Sequence, residues 1–172
     1  MRYNEQKMIG VLFMKEITAC FTGHKSLPDD KLNQLSETLK ATICEAYNKG
    51  YRCFCSGGAS GFDLLAAEAV LSLKGKYNDM MLILVIPCPE QTKYWPDKEI
   101  KRYEKIMSCA DKTVCVSEHY FKGCMQKRNR FLVDNSSLCI YWLTKESGGT
   151  KYTVDYTRNK EVKLINIADY FI

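Results

Sequence analysis

Histidine is scarce in this chain: His24 and His119 are the only two among 172 residues, and none of the nine cysteines falls in a Cys-x-x-Cys pair. The donor spacing of a structural zinc site is therefore missing, and no metal is expected. There are four prolines, with no Pro/Gly-rich linker, low-complexity run or solenoid-length repeat, which argues against tandem or repeat architectures. Long hydrophobic runs are lacking too. The apolar stretch Met8 to Met14 covers seven residues, far short of the roughly 20 needed to cross a bilayer. Lys15-Glu16 follows it, where a secretory leader would carry small residues for cleavage. Neither a membrane partner nor secretion is expected, and the cysteines, spread over apolar strand-like and helical stretches, read as buried reduced thiols of a cytoplasmic protein. Charge of one sign is also modest. The net +5 is concentrated around Lys122, Lys127, Arg128 and Arg130, which permits an anionic small molecule and argues against nucleic acid as the main partner.

What is present is a regular alternation. A hydrophobic fraction of 46% and a charged fraction of 26% are globular values, and the length suits one domain. Regular patterning begins only at Met14-Lys15-Glu16-Ile17, so residues 1–13 read as an N-terminal extension upstream of an alternative start, and residues 14–172 as a single domain. Short apolar runs at Ile17 to Phe21, Tyr51 to Cys55, Met81 to Ile86, Lys112 to Val116 and Leu138 to Trp142 predict strands, with a sixth at Val162 to Ile167. Between them lie segments of helical period. One opens at Leu27-Pro28-Asp29, carries Leu32, Leu35, Leu39 and Ile43 on a single stripe and stops at Gly50. Others cover Ser60 to Lys74, Asp97 to Met107 and Gly123 to Asp134, and a last one follows Gly148. The fold class this predicts is α/β: a three-layer, Rossmann-like domain with a mainly parallel sheet and helices on both faces. Ligands of such sheets sit at the carboxyl ends of the strands.

Three turns leave that edge. Ser56-Gly57-Gly58-Ala59-Ser60-Gly61-Phe62-Asp63 stands between a strand and a helix, where glycines let the backbone approach a ligand and first-turn amides attract an anion. Thr22-Gly23-His24-Lys25 offers a hydroxyl, a glycine and two side chains able to bond an anion. Ser147-Gly148-Gly149-Thr150 again precedes a helix. Arg128 and Asn129 supply a fork for a phosphate or carboxylate, whereas Lys122, Lys127 and Arg130 read as a solvated basic face. Gln91 and Trp95 suit a base or ribose, and Asp63 a ribose hydroxyl or the helix dipole. No pair of carboxylates presents itself as acid and base, so the catalytic residues are unassigned.

With these motifs in this order, the sequence resembles the SLOG superfamily, the Rossmann-like group that contains DprA and the LOG (lonely guy) phosphoribohydrolases, and within it the YpsA-like branch. The resemblance runs over about residues 14 to 167 and rests on Thr22-Gly23-His24, Gly57-Gly58-Ala59 through Gly61-Phe62-Asp63, Pro87 with Gln91 and Trp95, Met125 with Arg128-Asn129, and Gly148-Gly149-Thr150. It implies a pocket above the sheet for a nucleotide or an ADP-ribose-like derivative, with the glycine turns and Arg128 around it. LOG enzymes add a glutamate shortly after their third glycine turn. Here Lys151-Tyr152-Thr153-Val154 follows, and the first acid is Asp155. Binding or sensing of such a ligand is thus the leading expectation. Cleavage of a nucleoside monophosphate at its glycosidic bond and DprA-like binding of single-stranded DNA are the alternatives. A homo-oligomer stays open.

Overall fold

A computed structural model describes residues 15–171; the reading of residues 1–13 as an extension lies outside them. Six strands form one sheet: β1 (Thr18–Gly23), β2 (Cys53–Ser56), β3 (Met81–Ile86), β4 (Lys112–Cys115), β5 (Leu138–Trp142) and β6 (Lys163–Asn166). Their spatial order is β4-β3-β2-β1-β5-β6, and every neighbouring pair is parallel. The expected Rossmann-like three-layer architecture is therefore observed, with a wholly parallel sheet. Five α-helices connect the strands: α1 (Leu32–Asn48), α2 (Phe62–Leu73), α3 (Asp97–Cys109), α4 (Cys124–Asp134) and α5 (Gly149–Arg158).

Chain order steps outward from β1 to β4 and then returns to β5 beside β1. Crossovers of one hand must place helices on one face during the outward run and on the other after the return. Core packing follows that rule. Ala19, Phe21, Phe54, Leu82, Leu84, Ile140 and Trp142 pack with Leu35, Leu39 and Ile43 of α1, Phe62 and Leu64 of α2, and Tyr103 and Ile106 of α3. Alternate residues of the same strands, Cys20, Cys53, Cys55, Ile83, Val85, Cys139 and Tyr141, pack with Leu132 and Val133 of α4 and Val154 of α5. The second face is rich in thiols: Cys20 is in register with Cys55 on one side and Cys139 on the other. All nine cysteines are free, and Cys109 alone is exposed.

Element boundaries differ from the sequence expectation mainly at helix starts. Asp29–Lys31 form a short 3-10 turn and α1 begins at Leu32, because Pro28 holds extended backbone and no side chain caps the turn. Likewise, α2 begins at Phe62 rather than Ser60, since Gly61 has φ +88 and lies outside helical geometry. β1 and β2 each run further toward the carboxyl edge than their apolar runs suggest, to Gly23 and Ser56. Among the described residues no helix is long and apolar enough to cross a membrane.

Leu39 is wholly buried between α1 and the sheet. Leu39→Ala is expected to destabilise the fold by about 2–5 kcal/mol, the usual cost of such a cavity, read as a lower denaturant midpoint at constant m-value.

Candidate functional site at the carboxyl edge of the sheet

Strand order reverses between β1 and β5, and in open α/β sheets that reversal opens a crevice at the carboxyl ends. The loop after β1 and the loop after β5 meet there directly: the Thr144 backbone N–H donates to His24 Nε2 at 3.0 Å. An amide can only donate, so His24 is neutral and carries its proton on Nδ1. Burial, and behind it the charge of Lys145, holds its imidazole below the ordinary range.

The loop after β1 also locks onto the loop after β2. Phe62 N–H donates to the His24 carbonyl at 3.1 Å, and Gly23 lies against the Phe62 ring. Gly61 sits so close to the backbone of His24 and Lys25 that any Cβ there would collide with it. Lys25 itself points to solvent, and Thr22 is buried.

The Ser56–Asp63 loop, the strongest signal in the sequence, spends most of its groups internally. Gly58 N–H donates to Ser56 Oγ at 3.1 Å, and Ser56 Oγ donates to the Asp63 carbonyl at 2.8 Å. The Asp63 carboxyl accepts the Ala59 N–H. Arg128 fills the space beneath: its Nη1 donates to the Gly57 carbonyl, to the Val85 carbonyl at 3.3 Å and to Gln91 Oε1 at 3.4 Å, while Nε donates to Asn129 Oδ1 at 2.7 Å. Gln91 Nε2 completes the ring by donating to the Gly58 carbonyl at 2.9 Å. A Cβ at Gly57 would strike both the Arg128 guanidinium and, at 2.6 Å, Asp63 Oδ2. Arg128, at 3% exposure, thus ties α4 to the ends of β2 and β3. Desolvation pushes the Asp63 carboxyl up to about 6, against the opposing pull of Arg128 and the Ala59 amide; desolvation likewise lowers the Arg128 guanidinium. Trp95 stands edge-on to Tyr103 at 5.7 Å, packed on the core below this loop.

The third turn is different. Gly148 and Gly149 line an open cleft of about 480 Å³ together with Phe121, Lys122, Gly123, Gln126, Lys127, Arg130 and Tyr152. Two helices begin at this cleft, α4 after Gly123 and α5 after Gly148, and neither has a side chain capping its first turn. The Cys124 N–H donates to the Phe121 carbonyl at 3.0 Å; the other first-turn amides and two positive dipole ends are directed toward the same space, and the lining holds three cationic side chains and no carboxylate. Arg130 Nη1 donates to the Tyr152 hydroxyl at 3.0 Å across the cleft. Thr150 is buried behind it, and Asn129 Nδ2 joins α4 to α5 by donating to Thr153 Oγ1 at 2.9 Å. Lys122, Lys127 and Arg130, taken from the sequence as a solvated face, line this open cleft as well. Their signal was spacing. Cys124, Arg128 and Leu132 recur every fourth residue on the buried stripe of α4, which leaves Gly123, Lys127 and Arg130 together on the outer one. Asp155 does not line this cleft. Its carboxylate is paired with Lys151 at 2.5 Å and Arg158 at 3.0 Å, and Lys151 holds it below the usual range.

The family model described as the YspA SLOG family, named YpsA, matches residues 20–170. The chain belongs to this YpsA family. Among curated relatives, the UPF0398 protein YpsA of Bacillus subtilis (strain 168) is 26% identical over 148 residues, covering 84% of this chain and 82% of that one. The SPbeta prophage-derived protein YoqJ of the same strain is 29% identical over 139 residues, covering 73% and 81%. A solved structure of DNA processing protein A from Helicobacter pylori, described for its single-stranded DNA binding mode, superposes with a TM-score of 0.51 at 15% identity over 94% of this chain and 80% of that one. DprA from Streptococcus pneumoniae gives 0.52 at 13% identity over 95% of this chain and 62% of that one. At such identities the DprA likeness establishes the shared fold of this YpsA-family chain and nothing finer.

Two outcomes follow from the packed loop. Gly61→Ala forces an L-residue into φ +88 against neighbouring backbone and is expected to cost at least about 2 kcal/mol, seen as a fall in thermal midpoint. For Asp63, the folded-state value of about 6 lies above the ordinary 3.8. The folded protein therefore binds the proton more tightly, and its contribution to stability is full below pH 4 and is lost as pH rises through about 6. Relative to Asp63→Asn, the wild type should gain up to about 3 kcal/mol on acidification from pH 7 to pH 4, measured by denaturant unfolding at both pH values. A difference that does not change with pH would refute the assignment.

Proposed function

We propose that this protein binds or senses a nucleotide or nucleotide-derived ligand, with its phosphate held at the carboxyl edge of the sheet between the first turns of α4 and α5. The observation that carries the reading is the convergence of two uncapped helix starts on one cleft whose lining has Lys122, Lys127 and Arg130 and no acid. A phosphate entering it meets backbone donors, two helix dipoles and three cationic side chains together. The exposed rings of Phe121 and Tyr152 in the same lining offer flat apolar surface to a base. The glycine turns after β1 and β2 act one step back in this reading. They, with Arg128, fix the rim against which α4 and α5 begin.

Single-stranded nucleic acid is a second reading, favoured by the exposed aromatics Tyr94, Tyr120 and Phe121 on the loops after β3 and β4 and by the single-stranded DNA binding of the Helicobacter pylori DNA processing protein A that shares the fold. Stacking on such rings tolerates any base. Glycosidic cleavage has less support, because Asp155 is committed to Lys151 and Arg158 and lies outside the cleft.

Titration calorimetry with AMP should show one site, weakened about tenfold or more by Arg130→Ala and by Lys127→Ala, a loss within the range of a single charge-assisted contact. Binding of a short oligonucleotide in place of AMP, with affinity that falls steeply with salt, would shift the conclusion to nucleic acid. Release of free adenine from AMP would restore the hydrolase reading.

A further inference from the structure

A second cleft, of about 650 Å³, opens on the opposite flank of the same β5–α5 loop, lined by Trp142, Leu143, Thr144, Asp30, Lys31, Asp169 and Phe171 among others. Its chemistry differs from that of the first. Two carboxylates, Asp30 and Asp169, outnumber the one cation, Lys31, and Lys31 Nζ lies 6.0 Å over the Phe171 ring. A phosphate is disfavoured there. Groups that donate hydrogen bonds, such as sugar hydroxyls and exocyclic amines, find acceptors instead, and the Phe171 ring, packed edge-on to Trp142 at 5.2 Å, gives an aromatic wall. Asn166 braces that wall: its Oδ1 accepts the backbone N–H groups of Leu143 and Ala168, and its Nδ2 donates to Asp169.

The two clefts are close. Thr144 lines one and Gly148 the other, and four chain positions can separate them by no more than roughly 14 Å. Between them the Thr144–His24 bond forms a sill at the strand reversal, with Lys145 near enough to act on the His24 imidazole. One loop at the strand reversal thus brings together a cation-lined cleft, the Thr144–His24 bond beside a lysine and an aromatic, acid-lined cleft, at the edge where two-part nucleotides bind in open α/β sheets.

We propose that the Trp142–Phe171 cleft is a second subsite that accepts the distal nucleoside of a ligand made of two nucleosides joined through phosphates. The proposal rests on the phosphate reading of the first cleft and narrows its ligand class from nucleotides and their derivatives to dinucleotides. Asp30 and Asp169 accept from the distal sugar or base, and Phe171 flanks its ring. The linking phosphates cross the sill beside Lys145.

ADP and diadenosine diphosphate differ by the second adenosine and serve as probes in calorimetry with the full chain. The dinucleotide is expected to bind about tenfold or more tighter than ADP, and that ratio should fall close to one in Asp169→Ala. Equal affinities in the wild type, or a ratio preserved in Asp169→Ala, would overturn the proposal. An independent reading uses Trp95→Phe, which leaves Trp142 as the sole tryptophan of two. Diadenosine diphosphate should then alter Trp142 emission and ADP should not, an outcome that decides the matter even if Asp169→Ala does not fold; unaltered emission with bound dinucleotide counts against the subsite. Failure of both probes to bind would remove the first cleft's reading together with this one. ADP binding without any dinucleotide advantage would remove only this one.

Discussion

A buried guanidinium organises the carboxyl edge of this sheet. Arg128 leaves α4 on its inward stripe and donates to carbonyls at the ends of β2 and β3. Those carbonyls lie past the last ladder bonds, where water is excluded and a partner is obligatory. Arginine suits the task because its donors are fixed in one plane and its charge persists on burial. Removing it would leave several buried acceptors unpaired at once and free α4 from the strands it crosses. The Asp63 carboxyl, brought up on the first turn of α2, supplies the counter-charge and closes the glycine loop over the arginine.

With that joint in place, the rim divides into a structural half and an open half. The turns after β1 and β2 are pressed together through Gly61, Phe62 and His24. The turn after β5 keeps its distance, and the start of α5 faces the start of α4 across free space. A motif rich in glycine thus stands in two settings in one molecule: close backbone packing in one place and the lining of an open cleft in another. Local sequence cannot tell these apart, since both need the same absence of a side chain.

Much of the fold was legible because strands buried on both faces show as short apolar runs, and helices between them show as stripes such as Leu35, Leu39 and Ile43. All six strands were placed within a few residues. Helix starts were less legible, since Pro28 and Gly61 set backbone geometry that composition alone does not reveal. Of the candidate site residues, Gly148 and Gly149 line the open cleft, as do Lys127 and Arg130, which the sequence reading took for a solvated face, while Arg128, read as a ligand clamp, is engaged with protein carbonyls. The discriminating quantity was angular position on α4, where adjacent residues differ by about 100°. Gln91 was seen as polar and near the rim, but its role as a bridge between Gly58 and Arg128 depends on contacts far apart in sequence.

The thiol row beneath α4 and α5 bears on the shape of the open cleft. Cys55, Cys20 and Cys139 are small side chains where the opposite face carries Phe54, Phe21 and Ile140. Helices resting on sulfur-sized residues sit lower than helices resting on phenyl rings. The two helices that begin at the open cleft accordingly stand on a layer of sulfur-sized side chains. Enlarging any one of the three residues would push against a helix from below, so a change of volume in the sheet would be felt in the spacing of the two helix starts at the rim.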